Sequence, residues 1–280
     1  MHEEEFRLLR DLVHEHCGIR FRDDLRYLLE RRLWPRLQAL GLDRWHAYYL
    51  HLRFDPGRAE ELAEAIDVLT TNETYLYREP LQLRAFSQEI LPALATSLAR
   101  ERRLRILSAG CSTGEEPYTI SILLRDSGLF QGWDVEVLAC DISRRVLAAA
   151  RQGAYRDHAF RNPEAEAMRR WFSLRGGRWV VDETIRKSVR FFHANLLDER
   201  ALASVGRLDA VFCRNVMIYF DVGARRRALR RFHEKLREGG YLLLGHSESL
   251  LHVTADFELV HLRNDLVYRR PAPFAQEEVT

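Results

Sequence analysis

The sequence predicts an α/β fold: a mostly parallel sheet covered by helices, preceded by a small all-helical domain and carrying an inserted antiparallel β subdomain. Three observations carry that prediction. Apolar residues recur at helical spacing up to about residue 68, and strand-length apolar runs alternate with helical stretches after Leu104. A long excursion between the second and third of those runs holds Gly176 and Gly177 in an alternating pattern.

Composition sets the limits. With 280 residues, 46% hydrophobic and 30% charged, the chain can bury a core of about two domains, and disordered or low-complexity classes are excluded. No run approaches the ~20 apolar residues of a membrane helix. The start, MHEEEFRLLR, is acidic where a secretory signal is basic. A soluble, cytoplasmic protein without membrane insertion is expected. The net charge of +2 supplies no global field for nucleic acid, so no nucleic-acid partner is expected. Cys17, Cys111, Cys140 and Cys213 lie far apart with no C-x-x-C, which excludes a local zinc ribbon or redox pair and predicts reduced thiols. Only Lys187 and Lys235 among 43 basic residues are lysine, so arginine clusters carry little functional weight alone.

Taken in order, Phe6, Leu9, Leu12 and Val13 predict a first helix stopped at Gly18, and Leu25, Leu28, Leu29 and Leu33 a second stopped near Gly41. Asp43 is the expected cap of a third, carrying Trp45, Tyr48, Tyr49 and Leu50. Residues 69–103 read as a linker with an unusually polar and aromatic segment, TTNETYLYREP. LRILSA, VEVLAC, VRFFHA, LDAVFC and YLLLG read as parallel strands, and FELVHL with DLVYRR as a terminal antiparallel hairpin. The β subdomain is expected at about 165–190, and residues 271–280 as a frayed tail. The run 224–238, ARRRALRRFHEKLRE, reads as an outer helix.

The strongest local signal is LSAGCSTGEEPYT, a strand followed by two glycines and two carboxylates at a helix start. Gly110 and Gly114 allow a sharp turn and close approach to a ligand at the strand's carboxyl end. No lysine follows Gly114, so the phosphate-binding loop of ATP and GTP sites is absent. The dinucleotide fingerprint also fails, and Glu115 and Glu116 would repel a pyrophosphate. Asp141 ends the second strand 31 residues after Gly110, placed to accept hydrogen bonds from a ribose diol; the alternative is that it only caps the next helix. A ligand with ribose, adenine and an ammonium but no phosphate fits, and S-adenosylmethionine has all of these. GHSES, 245–249, lacks the final glycine of a hydrolase nucleophile elbow. His14, His16 and Cys17 lack the spacing and fourth ligand of a metal site, so no metal is expected.

Six blocks in order, TTNETYLYREP, SAGCSTGEEPYT, ACDIS, FFHANLLD, FCRNVMIYFD and GGYLLLGHSESL, closely resemble the chemotaxis receptor methyltransferase family, CheR. The match runs from about residue 20 to about 270. The resemblance implies a class I methyltransferase (Rossmann-like) domain at 104–270 behind a helical domain at 1–68. It implies S-adenosylmethionine-dependent methylation of chemoreceptor glutamates by a monomer, with S-adenosylhomocysteine as product. Matched by motif, the cofactor contacts would be Asn72, Thr74, Arg78, Gly110, Glu116, Asp141, Asn195 with Leu196, and Arg214 with Asn215. Arg78 and Tyr219 would lie near the reacting methyl group. Arg26, Arg31, Arg32 and Arg36 would contact an acidic region of the receptor's cytoplasmic domain.

The implied chemistry is coherent, because a glutamate with a reference pKa of ~4.3 is ionised at neutral pH and needs no general base. One departure stands out: the turn RGGRWVV is shorter than the loop of members that grip a receptor C-terminal pentapeptide, so tether binding is expected to be weak or absent. Two other readings remain, the same chemistry on a non-chemotaxis protein and a non-catalytic sensor of the cofactor or its product. The intact TTNETYLYRE block argues against a sensor, and the glycine spacing against a nicotinamide dehydrogenase.

Overall fold

In a computed structural model, residues 1–272 are described. From residue 273 onward the expected tail lies outside them. The helical domain comprises α1 (Glu3–Cys17), α2 (Arg26–Ala39), α3 (Trp45–Phe54) and α4 (Arg58–Leu69). Their cores are the predicted stripes: Phe6, Leu9, Leu12 and Val13 of α1 pack with Leu29, Leu33 and Leu37 of α2, all buried. The cap of α3 differs from expectation. Arg44 occupies the N-cap position, and no side chain caps that helix. Instead, the buried Glu61 of α4 joins three helices, accepting from Arg36 Nη2 (2.6 Å) and Tyr48 Oη (2.7 Å).

The segment 69–103 is a linker only as far as Glu79. Pro80 opens α5 (Pro80–Ala85), which runs through a π-helical turn at Phe86–Ile90 into α6 (Leu91–Ser97). Leu83, Phe86, Ile90 and Leu94 recur every three or four residues and, with Leu91, are buried in the main core, so this stretch is a helical cover of the sheet. Phe86 meets Phe212 edge to face at 5.0 Å.

β1 (Arg103–Ala109), α7 (Glu115–Ser127), β2 (Asp134–Asp141) and α8 (Arg144–Gln152) alternate as predicted. A three-stranded antiparallel sheet follows, with β3 (Ala154–Tyr155), β4 (Phe172–Arg175) and β5 (Arg178–Val181) in the order β3-β5-β4. It therefore occupies 154–181 and not 165–190, because Asp182 caps a short helix, α9 (Glu183–Lys187), on the Thr184 N–H. β6 (Val189–His193), β7 (Leu208–Cys213), α10 (Val222–Lys235), β8 (Leu236–Leu244), β9 (Glu258–His261) and β10 (Leu266–Arg269) complete the chain. The main sheet has the order β6-β2-β1-β7-β8-β10-β9. Its first five strands are parallel, β10 runs antiparallel to β8, and β9 runs antiparallel to β10.

Alternate residues enter opposite layers. Ile106, Val137, Ala139 and Phe212 face one core, and Leu107, Leu138, Cys140 and Val211 the other. After β1 the chain adds strands on one side, and from β7 onward on the other. The loops leaving β1 and β7 therefore diverge and open a crevice at their carboxyl ends.

Candidate active site

The helical domain closes the far side of that crevice. Residues 19 and 220 form an antiparallel bridge, Arg20 N–H donates to the Tyr219 carbonyl (2.9 Å), and His14 Nε2 lies 3.0 Å from Asp221 Oδ2. The cleft holds about 1260 Å³ of empty space with its open mouth included. Asn72, Thr74, Arg78, Gly110, Glu116, Asp141, Asn195, Leu196, Arg214, Asn215 and Tyr219 all line it.

Asp141 stands at the end of β2 with its carboxylate buried. Ser112 N–H donates to its Oδ2 and Ser143 N–H to its Oδ1, both at 2.9 Å. The cap of α8 is Ser143, which accepts from Val146 N–H, so Asp141 is not merely that helix's cap. Burial pushes the Asp141 carboxyl above its ordinary value, against the pull of these two N–H bonds. Gly110 makes the turn possible. Its φ is +76°, and a Cβ there would clash with Val216 Cγ2.

Glu116 and Arg214 form a buried ion pair across the crevice floor, with Nε to Oε2 at 2.7 Å. Ser108 Oγ donates to the other Glu116 oxygen at 2.6 Å. Arg214 Nη1 also donates to the Arg78 carbonyl (2.9 Å), tying the end of β7 to the TTNETYLYREP segment. Arg78 itself is half-buried at the cleft wall, where its Nη1 donates to the Glu73 carbonyl (2.8 Å). Tyr77 and Glu79 on either side have φ of +58° and +57°. Two non-glycine residues in the left-handed region are costly, and together they turn Arg78 out of the flanking run.

Asn195 reaches the cleft, but its amide is engaged. Nδ2 donates to the His16 carbonyl at the end of α1 (2.7 Å), and Oδ1 accepts from Leu197 N–H (3.0 Å). The Leu196 N–H has no partner among the described residues. Asn72 carries the Ser112 hydroxyl on its carbonyl (3.2 Å), and Thr74 is half-buried beside it. Asn215, at φ +59°, has a buried Oδ1 without a partner.

One organising residue was hidden from sequence reasoning. Glu248, in the GHSES motif, accepts four backbone N–H groups: Asn215 and Gly245 on Oε2 (both 2.7 Å), Val216 and Ile218 on Oε1 (3.0 and 3.1 Å). It fixes the loop that carries Arg214, Asn215 and Tyr219. The only signal for it was an unexplained acid two residues beyond His246.

Other expectations are corrected. Gly114 and Glu115 face away from the cleft: a Cβ at Gly114 would meet Ala150 Cβ at 3.0 Å, and the buried Glu115 accepts from Thr113 Oγ1 (2.7 Å). Only Glu116 of the two carboxylates lines the cleft. Arg36 is held by Glu61 and Glu64, and Arg32 Nη1 donates to the Leu69 carbonyl (2.6 Å), so their guanidinium groups serve the helical domain; Arg26 and Arg31 are exposed. Burial pushes the Cys17 thiol up to about 12 and that of Cys111 well above its ordinary value, so neither cleft cysteine is a nucleophile. Among the described residues no cluster of three or more metal-ligating side chains occurs.

Comparison with known proteins agrees with this geometry. The family model described as CheR methyltransferase, all-alpha domain, matches residues 4–70, and that of the CheR methyltransferase, SAM binding domain, matches residues 72–266. Chemotaxis protein methyltransferase 2 of Vibrio cholerae is 36% identical over 269 residues, 95% of this chain and 93% of that protein. Chemotaxis protein methyltransferase 1 of Pseudomonas aeruginosa is 35% identical over 95% of this chain and 97% of its own length. The chemotaxis protein methyltransferase of Salmonella typhimurium is 38% identical, covering 94% and 88%. With both domains matched in order and relatives of matching length, the chain belongs to the CheR methyltransferase family and is an S-adenosylmethionine-dependent methyltransferase.

Proposed function

We propose that this enzyme methylates glutamate side-chain carboxylates on the cytoplasmic domain of chemoreceptors, forming glutamate methyl esters. The observation that carries the reading is that a ribose-type acceptor, the buried Asp141, shares one cleft with the half-buried Arg78 and the partly exposed Tyr219. Relatives named for chemotaxis support the receptor as acceptor. In this reading the enzyme acts in the cytoplasm as a monomer, and Arg26 and Arg31 of α2 contact the receptor.

The residues present fit the cofactor. Asp141 offers a carboxylate to the ribose hydroxyls, and the unpaired Leu196 N–H suits an adenine ring nitrogen. The unpartnered Oδ1 of Asn215 and the Glu116 carboxylate suit the ammonium. When bound, S-adenosylmethionine supplies a methyl group on a sulfonium that departs as a neutral thioether. Arg78 and Tyr219 hold the incoming carboxylate in line, and the cleft walls exclude water. No proton has to move, so the reaction needs no catalytic base.

The β insertion supports independence from a receptor tether. β4 and β5 are four-residue strands joined by Gly176 and Gly177 alone, at φ +55° and +73°, a two-residue turn with no loop to fold over an added strand. A receptor C-terminal pentapeptide is expected to show no binding at micromolar concentration in calorimetry.

The deciding test is transfer of labelled methyl to a chemoreceptor cytoplasmic fragment, scored as methanol released by alkali. Alkali-labile label on the receptor supports the proposal. Saturable cofactor binding without receptor label transfers the chemistry to another protein's carboxylate.

A further inference from the structure

Four arginines line the cleft: Arg20, Arg32, Arg78 and Arg214. Arg214 is committed to the Glu116 carboxylate and Arg32 to the Leu69 carbonyl of its own helical domain, while Arg78 gives one Nη1 hydrogen to the Glu73 carbonyl. Neither Arg20 nor Arg78 makes an ion pair among the described residues. They come from different domains, Arg20 from the turn after α1 and Arg78 from the segment before α5.

Arg20 also borders a second, charged recess against the helical domain. Every acid lining that recess already has a basic partner. Asp11 and Asp23 pair with Arg10, Asp24 with Arg22, and Asp221 with His14. Arg20 is the surplus cation, standing where the two cavities meet. Its backbone is anchored there by the N–H bond to the Tyr219 carbonyl (2.9 Å) and by the bridge between Ile19 and Phe220.

We propose that Arg20 is an acceptor-binding residue that, with Arg78, forms a two-sided guanidinium clamp on the acceptor carboxylate. The inference rests on the carboxylate acceptor proposed above. Guanidinium forks match carboxylate oxygens in pairs, and two unpaired cations lining one cleft leave a positive potential that a single anion relieves. The helical domain then helps to orient the reacting group, beyond docking the receptor.

The test is steady-state methylation of the receptor fragment by the wild type, Arg20→Ala, Arg20→Lys and Arg22→Ala, at low and high salt, with cofactor binding measured by calorimetry. Arg20→Ala is expected to raise the acceptor KM about tenfold at low salt, with cofactor Kd within about twofold of wild type. The difference shrinks at high salt. Arg20→Lys, which keeps the charge, recovers part of the loss, and Arg22→Ala leaves KM within about twofold. An unchanged acceptor KM in Arg20→Ala, an equal rise in Arg22→Ala, or a matching loss of cofactor affinity overturns the clamp. Those results, obtained with an active wild type, leave the receptor assignment standing. A wild type that labels no receptor carboxylate overturns that assignment, and the clamp with it.

Discussion

Asp141 and Glu248 are both carboxylates gripped by backbone N–H groups, yet their duties differ. Asp141 keeps acceptor capacity toward the cleft, and its carboxyl is pushed above the ordinary value by burial. Cofactor affinity of the wild type is therefore expected to fall on acidification at a pH above the ~3.9 of a free aspartate. Asp141→Asn removes that dependence while weakening binding roughly tenfold or more, and titration calorimetry across pH checks both. Glu248 has its oxygens filled by four N–H groups. Glu248→Gln sets an NH₂ against some of those donors, and the expected loss is about 1–3 kcal/mol of loop stability. Faster hydrogen exchange at Asn215, Val216 and Ile218 is the readout; unchanged exchange at those amides would refute the role. Asp141 was legible because a strand-end acid is a local feature. Glu248 was not, because three of its four partners, Asn215, Val216 and Ile218, follow β7 and meet it only once β7 and β8 pair.

Among the elements, α10 shows how one cap serves two ends. Asp221 accepts from Ala224 N–H (2.7 Å) and faces His14 of α1, and both hold its carboxyl below the ordinary value, the cap bond most strongly. A depressed folded-state pKa means that this stability is present above the usual aspartate value and is lost as pH falls through the lowered one. Asp221→Ala is expected to cost about 1 kcal/mol, measured by urea unfolding at neutral pH, with a smaller difference below that range. The helices and strands were largely readable from apolar period. The exceptions have physical reasons: residues 80–98 read as linker because the preceding polar motif masks their stripe, and 183–187 read as part of the β insertion because a five-residue helix is too short to show a period.

For the whole molecule, function depends on the helical domain seating against the loops of the sheet. Gly18 is the tight point. At φ +75°, a Cβ would lie 2.7 Å from Leu197 Cδ1 and 2.9 Å from Ala224 Cβ. Gly18→Ala is expected to cost about 1–3 kcal/mol by thermal unfolding and to raise the acceptor KM, since it displaces Arg20 from Tyr219. A variant with unchanged melting and kinetics would show that the seating is loose. Read without coordinates, the order of residues dictates the helical domain, the parallel sheet, the glycine turn and the cofactor's chemical class, because periodicity, turn residues and strand-end acids act over a few positions. Tertiary structure alone decides which charges remain available. Arg36 turns inward to Glu61 and Arg214 to Glu116, while Arg20 and Arg78 line the cleft from separate domains. Ion pairing depends on where distant parts of the chain come together, and no local pattern of residues encodes that.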